Sequence, residues 1–546
     1  MNINFRMRSL LGAWTRFVSV FIGSMSILTS FVSFELAGAA EALDSRSFSE
    51  RCAALVNNNT IVASATIEAA LFGSHNSCVV RGKIISSPAS TINFRVDLPE
   101  PNSWNGKLLM IGGAGFDGIV PTDAPNHRGF WFTKVLGSDA ERMAHYIIGS
   151  SDSGHQGRGQ NPIEDFSWVS QNPTALANHG YQANHIVLGV AIDLSVQLYS
   201  KPPERRYIVG GSNGGRAGLV AIQHYPQDYN GVIALEPAIS QEGFAANLGT
   251  QMLQHIFASP ENWLDRKHIE LYEKHELNAC DGLDGLKDGI LANVRGCDYD
   301  GTDLLCKNGV RDSDDCLTSG QLESIKRIHA DKNVNVTLAD GWVGYAGFGR
   351  GGESSDWATY LFGRSFAARA ASDYALADNI VKWGITNDPN ANVMTHDPTQ
   401  WAKQYRALSD QIDATDPNLL PFYQHGGKLI VWYGTSDACV SYMQTARYIE
   451  SVTGKLGDER TKALLRFYIS PATGHAMAGA GASTIPLLSA LENWVEKDQA
   501  PASLTATLTK ESANSGSTRP LCEYPLFPRY KGNGDPHSAS SFDCSR

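Results

Sequence analysis

The most informative part of the chain reads Arg206-Tyr-Ile-Val-Gly-Gly-Ser-Asn-Gly-Gly-Arg216. It begins as a short apolar run typical of a buried strand, and a helical pattern follows over residues 214–225. Between them lies a match to G-x-S-x-G, the pattern of a tight strand-to-helix turn that exposes a reactive serine hydroxyl. The string alone is common in a chain with 52 Gly, but its position between strand and helix predicts that Ser212 is a nucleophile.

A serine nucleophile needs a base, and the base needs an orienting carboxylate. In sheets of this kind the chain order is serine, acid, histidine. Asp437 follows the apolar run 428–433, and His475 follows the run 464–469. Each alone would pass for a turn-forming aspartate or a surface histidine. Both lie where the carboxyl ends of strands place chemistry, so together they predict a triad of Ser212, Asp437 and His475.

Acyl transfer also needs two N–H donors for the developing oxyanion. In this pattern the backbone N–H of the residue after the nucleophile, Asn213, is one donor. The glycine-rich loop within residues 108–118 predicts the N–H of Gly115 as the other. The same loop contains G-x-G-x-x-G, which a nicotinamide site would also use. Such a site wants an acidic residue about 20 positions on in a βαβ unit, and Asp139 and Glu141 follow no clear strand. The cofactor interpretation is therefore disfavoured.

Apolar runs, glycine-rich turns and helical patterns alternate along much of the chain, which predicts an α/β fold with a parallel core sheet. We expect an α/β-hydrolase fold with a large inserted lid domain. The lid is predicted at residues 239–416, where Asp- and Gly-rich loops and four cysteines replace the alternation. Residues 40–238 and 417–546 would form the two parts of the core, and the C-terminal tail would wrap over it.

The N-terminal segment has the layout of a signal peptide over residues 1–39: three arginines precede an apolar run, and Ala37-Gly38-Ala39 follows it. A membrane anchor is the alternative, but serines and a threonine dilute the run. Removing these residues takes away three Arg and one Glu, which changes the formal charge from −11 to −13. We expect a secreted or periplasmic protein without nucleic-acid or membrane partners; its oligomeric state stays open.

Nine cysteines in an exported chain predict disulfides. Spacing alone does not fix their connectivity, but neighbouring positions suggest the pairs Cys52 with Cys78, Cys280 with Cys297, Cys306 with Cys316, and Cys522 with Cys544. Cys439 is left over. No base or positive neighbour stands near it in the sequence, so it is predicted to be a buried, small apolar residue.

An acidic loop, Cys280-Asp-Gly-Leu-Asp-Gly-Leu-Lys-Asp-Gly-Ile290, brings together the carboxylates of Asp281, Asp284 and Asp288. Calcium accepts such hard oxygen ligands together with backbone carbonyls, although the spacing is not that of an EF-hand. A solvated acidic turn is the alternative, and the chemistry of the loop leaves both open.

These motifs show a close resemblance to the tannase/feruloyl esterase family, which extends over nearly all of the mature chain. The resemblance rests on residues 112–118, 210–216, 280–297, 434–437, 474–475, 518–522 and 529–535. It implies hydrolysis of esters of aromatic acids such as gallic, ferulic and terephthalic acid, with a lid that shapes the acyl pocket. It also implies a structural calcium ion, held by the side chains of Asp281, Asp284 and Asp288 and the carbonyls of Leu286 and Ile290.

One departure from the family concerns the nucleophile. The family typically joins a cysteine before the serine to a cysteine after the histidine, whereas this chain has Gly211 and Ala476 there. The loss of both partners together predicts a more mobile histidine loop.

The substrate itself is less certain from the sequence. The lid aromatics Trp357, Tyr360, Phe362 and Phe366, with Arg364, could form an aromatic pocket or be the lid's own core. Hydrolysis of a non-aromatic ester, acyl transfer to an alcohol, and a non-catalytic calcium-stabilised binding protein are the alternatives to an aromatic ester hydrolase.

Overall fold

We describe a computed structural model that covers residues 46–57, 65–73, 76–123, 132–311, 313–508, 512 and 514–546. The predicted signal peptide at residues 1–39 lies outside the described residues. Within the described ranges, no helix has both the length and the apolar character needed to cross a membrane.

One large sheet of twelve strands organises the molecule, in the order β1-β2-β3-β5-β4-β6-β7-β10-β11-β14-β13-β12. Its strands are β1 (Ala65–Phe72), β2 (Ser77–Ser87), β3 (Ser90–Pro99), β4 (Lys107–Ile111), β5 (Ile147–Ser151), β6 (Arg205–Gly211), β7 (Gly231–Leu235), β10 (Lys428–Gly434), β11 (Leu465–Ser470), β12 (Ala482–Thr484), β13 (Leu504–Leu508) and β14 (Thr518–Glu523). Two small pairs stand apart: β8 (Lys332–Asn333) with β9 (Gly344–Tyr345), and β15 (Phe527–Tyr530) with β16 (Phe542–Ser545).

The centre of the sheet is parallel, as the continuous apolar runs predict. Strands β5, β4, β6, β7, β10 and β11 pair side by side in parallel. The flanks are antiparallel: β1, β2, β3 and β5 on one side, and β11, β14, β13 and β12 on the other. Strand β3 alternates buried and half-buried residues, the pattern of a strand with one face turned towards solvent.

Helices cover both faces of the parallel centre, which confirms the α/β prediction. The α-helices are α1 (Phe48–Ala54), α2 (Phe132–Leu136), α3 (Asp139–Arg142), α4 (Pro173–Ala177), α5 (Ala183–Tyr199), α6 (Asn213–His224), α7 (Gln241–Phe244), α8 (Leu253–Ile256), α9 (Arg266–Cys280), α10 (Ser319–His329), α11 (Glu353–Tyr360), α12 (Ser372–Asn379), α13 (Ala402–Ile412), α14 (Leu420–Gln424), α15 (Tyr442–Leu456), α16 (Asp458–Leu464) and α17 (Leu487–Lys497). Helices α5, α6 and α15 pack on one face, and α2 and α17 on the other.

The segment between β7 and β10 contributes no strand to the large sheet within the described residues. We call residues 239–416 the lid segment. It holds helices α7 to α13 and the pair β8–β9. Its apolar side chains form a second hydrophobic cluster around Tyr272, Trp357 and Tyr405, which Phe116, Phe166, Val169 and Ala438 from the flanking segments join. A second hydrophobic core of this kind is what a folded insertion requires.

Four disulfides stabilise the chain, and they join the neighbouring cysteines: Cys52–Cys78, Cys280–Cys297, Cys306–Cys316 and Cys522–Cys544. Cys439 is buried and carries a free thiol. The last bridge ties the β15–β16 pair to β14, so the C-terminal tail is fastened to the edge of the large sheet.

Candidate active site

The strand-to-helix turn holds Ser212 in a strained conformation. Strand β6 ends at Gly211 and α6 begins at Asn213, and Ser212 between them has φ 58° and ψ −122°. A non-glycine residue in such a region costs roughly 1–3 kcal/mol, so surrounding contacts must impose it. The Ser212 N–H donates to the Leu235 carbonyl at 2.8 Å, and the Ser212 carbonyl accepts from the Ala238 N–H at 3.2 Å.

Glycine at position 214 lets helix α6 approach the loop after β4. A Cβ atom there would lie 2.5 Å from the Gly113 carbonyl oxygen, closer than Cβ atoms approach any backbone atom. The close contact brings the glycine-rich loop beside Ser212. This is the physical reason for glycine at this position of the motif.

Asp437 and His475 lie at the carboxyl ends of β10 and β11, which are neighbours in the sheet. His475 Nδ1 is 2.8 Å from Asp437 Oδ2. The other oxygen of Asp437 accepts from the N–H groups of Cys439 and Val440, both at 2.8 Å. The carboxylate is thereby fixed on one side by backbone donors and on the other by the imidazole.

Two further carboxyl groups, neither predicted from the sequence, contact the histidine loop. Asp356 of helix α11 accepts from the His475 N–H at 2.5 Å and from the Ala438 N–H at 3.3 Å. Glu236, directly after β7, places Oε2 3.2 Å from His475 Nδ1. The signal for Glu236 is a lone acidic residue at the end of a fully apolar strand, whereas Asp356 has no local signal in the lid sequence.

These charges shift the proton affinity of the site. Burial lowers the pKa of His475, but the charge and hydrogen bond of Asp437, with the charges of Glu236 and Asp356, outweigh it and raise the pKa to about 10. Burial and the neighbouring Asp437 raise the pKa of Asp356 to about 7 and that of Glu236 well above its usual range. The carboxyl groups therefore make His475 a stronger base and stabilise the imidazolium that forms when it accepts a proton.

A pocket opens beside Ser212, and its wall combines core and lid residues. Its lining residues are Gly115, Phe116, Ser212, Asn213, Ala238, Ser240, Gln241, Phe244, Leu376, Ile380, Cys439 and Val440. The serine and both predicted oxyanion donors thus share one pocket with mainly apolar side chains, as an ester-binding site requires.

The candidate oxyanion donors are held by local geometry. Gly115 has φ 54°, and a Cβ atom there would lie 2.2 Å from the Ile163 carbonyl oxygen, so only glycine fits. Asn213 is the first residue of α6, where N–H groups have no acceptor within the helix. Its side chain donates to Asp117 and accepts from Arg216 Nε at 2.6 Å.

Comparison with known proteins agrees with this geometry. The family model for tannase and feruloyl esterase matches residues 78–545. The chain belongs to the tannase and feruloyl esterase family. An uncharacterized esterase of Agrobacterium fabrum is 32% identical over 490 residues, 86% of this chain and 85% of the relative.

Two further similarities support the family and its fold. The mono(2-hydroxyethyl) terephthalate hydrolase of Piscinibacter sakaiensis is 27% identical, over 88% of this chain and 87% of the relative. The crystal structure of feruloyl esterase B from Aspergillus oryzae superposes with a TM-score of 0.78 at 22% identity, covering 91% of this chain and 100% of the other. The chain is therefore a carboxylic ester hydrolase of this family with the α/β-hydrolase fold.

The lid aromatics named in the sequence analysis do not line the pocket beside Ser212. Trp357 and Phe362 are buried in the lid core, and Phe366 is 41% exposed. Arg364 is exposed as well. Tyr360 alone among these residues contacts the catalytic region, with its ring 5.5 Å from that of His475 in an edge-to-face arrangement.

Cys439 lines the pocket of the esterase beside the predicted triad. The thiol is 5% exposed, and burial together with nearby carboxyl groups raises its pKa well above the usual range. It is therefore protonated at neutral pH, and this agrees with the prediction of a small apolar residue.

Side chains that could hold a metal ion occur at three places in the described residues. The first is the Glu236, Asp437 and His475 cluster, whose ligand atoms lie within 4.8 Å of one another. Its carboxylates already accept backbone N–H groups, so the triad interpretation fits better. The second is a lid group of Glu276, His329 and Glu353, in which the two glutamates are buried and the histidine is half-buried. The third is the acidic loop identified in the sequence.

In the acidic loop, Asp281, Asp284 and Asp288 are close enough for the charges of Asp281 and Asp288 to act on Asp284. Asp281 Oδ1 is buried without a hydrogen-bond partner in the described part of the chain. Asp284 accepts from the Leu286 N–H at 2.9 Å, and Asp288 accepts from the Ile290 N–H at 3.1 Å. The Arg519 guanidinium is 2.5 Å from Asp288 Oδ2 and neutralises part of the charge.

Asp117 offers a direct test of how the oxyanion side is held. We expect Asp117→Ala to lower kcat roughly tenfold or more with KM changed less than about twofold, because the Asn213 side chain loses its buried acceptor and one oxyanion donor moves. Steady-state kinetics with an activated ester measure this. Asp123→Ala, which removes a surface ion pair with Arg81, is the control. A kcat within twofold of the parent protein would contradict the assigned role.

Proposed function

We propose that this esterase acts through an acyl-serine intermediate, with Ser212 as nucleophile, His475 as base and Asp437 as its orienting carboxylate. The observation that carries the proposal is the strained Ser212 turn opening into one pocket with Gly115 and Asn213. The 2.8 Å contact of His475 with Asp437 supports it, because a fixed imidazole is what serine activation requires.

The chemistry follows from these positions. His475 Nε2 takes the proton of the Ser212 hydroxyl as its oxygen attacks the ester carbonyl carbon. The N–H groups of Gly115 and Asn213 stabilise the oxyanion of the tetrahedral intermediate. Its collapse breaks the bond to the alcohol oxygen, which leaves with the proton from His475. Water, deprotonated by the same histidine, then attacks the acyl-serine and releases the acid.

For the acyl group, we propose an aromatic ring without a carboxylate substituent, such as a feruloyl or galloyl group. Phe116, Phe244 and Leu376 give the pocket an apolar wall suited to a ring. Among the described residues that line the pocket, none is Lys or Arg. The names of relatives, which mention feruloyl and terephthalate esters, support an aromatic acid.

Asp373 supports a neutral, hydrogen-bonding substituent on that ring. It is fully buried on α12, three residues before Leu376 of the pocket wall, so both lie on one face of the helix. Neither oxygen makes a hydrogen bond of good geometry within the described residues, although the Cys439 thiol lies beside it. Burial raises the pKa of Asp373 well above its usual range, which favours the neutral carboxyl form that both donates and accepts hydrogen bonds.

A comparison of Ser212→Ala with the parent protein tests the function. We expect the variant to lose at least a thousandfold in kcat towards methyl ferulate or methyl gallate, because the nucleophile is gone. Ser195→Ala, which changes a buried serine in helix α5, is the matched control and keeps the parent activity. Equal hydrolysis by Ser212→Ala and the parent protein would overturn the proposal.

The same assay tests the acyl group. We expect kcat/KM for methyl ferulate or methyl gallate to exceed that for a terephthalate monoester at least tenfold, because the mainly apolar wall of the pocket would desolvate a carboxylate and its described lining residues include no cation to pair with it. A preference for the terephthalate monoester would contradict the acyl-group proposal, and activity confined to a short aliphatic ester would contradict the aromatic one.

We also propose that the acidic loop holds a structural calcium ion and that the protein is exported. The uncommitted oxygen of Asp281, next to Asp284 and Asp288, fits a hard cation, which the carbonyls of Leu286 and Ile290 would complete. The loop is bracketed by the Cys280–Cys297 disulfide, and four disulfides support an oxidising compartment. When bound, the ion would neutralise the carboxylates and stabilise the lid.

Chelation tests the calcium proposal without reference to activity. We expect EDTA to lower Tm by at least about 3 °C and added calcium to restore it, because a ligand bound only to the folded state stabilises that state. Asp284→Asn should remove most of this response, whereas Asp314→Asn, an exposed carboxylate in the same lid segment, should retain it. A Tm independent of EDTA and calcium would contradict the proposal.

A further inference from the structure

Glu236 occupies an unusual position next to the triad. It follows directly after β7, has φ 43°, and its N–H donates to the Trp432 carbonyl at 2.8 Å. Its side chain is fully buried in the core of the large sheet. Burying a carboxyl group costs free energy, and so does a positive φ at a non-glycine residue. A local interaction must therefore hold Glu236 in this position.

The interaction partner is the histidine loop. Glu236 Oε2 accepts from the Ala476 N–H at 3.0 Å and lies 3.2 Å from His475 Nδ1. Its other oxygen, Oε1, has no hydrogen-bond partner in the described part of the chain. The carboxyl group thus contacts both the backbone after the histidine and the side of the imidazole that faces Asp437.

The loop needs such a contact, because its backbone is strained. Ala472, Ala476 and Met477 are non-glycine residues with φ of 52°, 57° and 67°. Neither Gly211 nor Ala476 can supply a covalent bridge between the serine and histidine loops. The consecutive N–H groups of His475 and Ala476 are instead accepted by two carboxyl groups, Asp356 from the lid segment and Glu236 from the core.

We propose that Glu236 is a positioning residue that holds His475 in place for proton transfer by accepting the Ala476 N–H, in place of a covalent link. The inference rests on the proposed function of His475 as base. Glu236 belongs to the core sheet, whereas Asp356 belongs to the lid segment. The Glu236 contact therefore joins two loops that both follow strands of the core sheet.

The contact depends on the reach of the side chain rather than on its charge. The carboxyl groups of Asp437, Asp356 and Asp373 all face the same imidazole, and burial beside Asp437 raises the pKa of Glu236 well above its usual range. A neutral acid still accepts an N–H through its carbonyl oxygen. Glutamine presents the same oxygen at the same distance, whereas aspartate withdraws it by about 1.5 Å, one carbon–carbon bond.

The test compares Glu236→Gln, Glu236→Asp and Glu236→Ala in two measurements. The first is kcat and KM with p-nitrophenyl acetate, which makes few demands on the acyl pocket. The second is hydrogen–deuterium exchange of the peptide over residues 471–480, which needs no substrate. Asp378→Asn is the control, since this buried lid carboxyl group also accepts a backbone N–H, from Val393.

We expect Glu236→Ala and Glu236→Asp to lose roughly 10- to 100-fold in kcat with KM within about twofold, because a small displacement of a catalytic base is costly. Both should exchange faster over 471–480. Glu236→Gln should keep kcat within about fivefold and retain the protection, and the control should match the parent protein. If Glu236→Ala does not fold, Glu236→Asp against Glu236→Gln decides.

Equal kcat in the three variants, unchanged exchange over 471–480, or an aspartate variant more active than the glutamine variant would overturn the inference. A failure of the proposed function would give a different result. If Ser212 is not the nucleophile, Ser212→Ala would hydrolyse p-nitrophenyl acetate as fast as the parent protein. The exchange measurement would still report whether Glu236 holds the loop.

Discussion

A histidine that takes up and returns a proton must be held on one side while its other nitrogen faces the substrate. Here the holding interaction is the buried contact between His475 Nδ1 and Asp437, 2.8 Å long. Parallel pairing of β10 with β11 aligns Gly434 with Ser470, and both catalytic loops leave the sheet from that level. Asp437 is fixed in turn by two backbone N–H groups. Catalysis depends on this pair: the serine turn, the lid contact through Asp356 and the pocket contribute only if His475 and Asp437 stay in contact.

Much of the fold could be predicted from the sequence, because parallel strands buried on both faces read as continuous apolar runs. The strands around Ser212, Asp437 and His475 are of this kind, with β7 buried along its whole length. The antiparallel flanks give a different signal: β3 alternates apolar and polar residues, which indicates a strand with one buried face but not the strand that it pairs with. The composition of the lid segment distinguishes it from the core in the sequence. Its internal arrangement could not be predicted, because it depends on contacts between distant residues.

The residues of the candidate site also fall into two groups, those that a local sequence motif marks and those that only the fold brings together. Ser212, Asn213 and Gly115 sit in local motifs whose backbone geometry dictates their residue types, so a single sequence suffices to propose them. Glu236, Asp356 and Asp373 act through contacts with residues far away in the chain. No short pattern marks the two aspartates, and Glu236 is marked only as a lone acidic residue after an apolar strand. Arg364 has a residue type that suits a substrate contact, but the sequence alone does not show that it lies exposed on the lid segment. Residue type indicates what a side chain can do, whereas the fold decides what it meets.

The central claim is that one serine, activated by His475, carries the acyl group during turnover. Intact-protein mass spectrometry after reaction with a fluorophosphonate tests this most directly, since such reagents modify a serine only when a neighbouring base activates it. The account predicts one adduct per chain, located by peptide mapping at Ser212. An adduct at another serine, or a protein that hydrolyses esters yet forms no adduct, would contradict it.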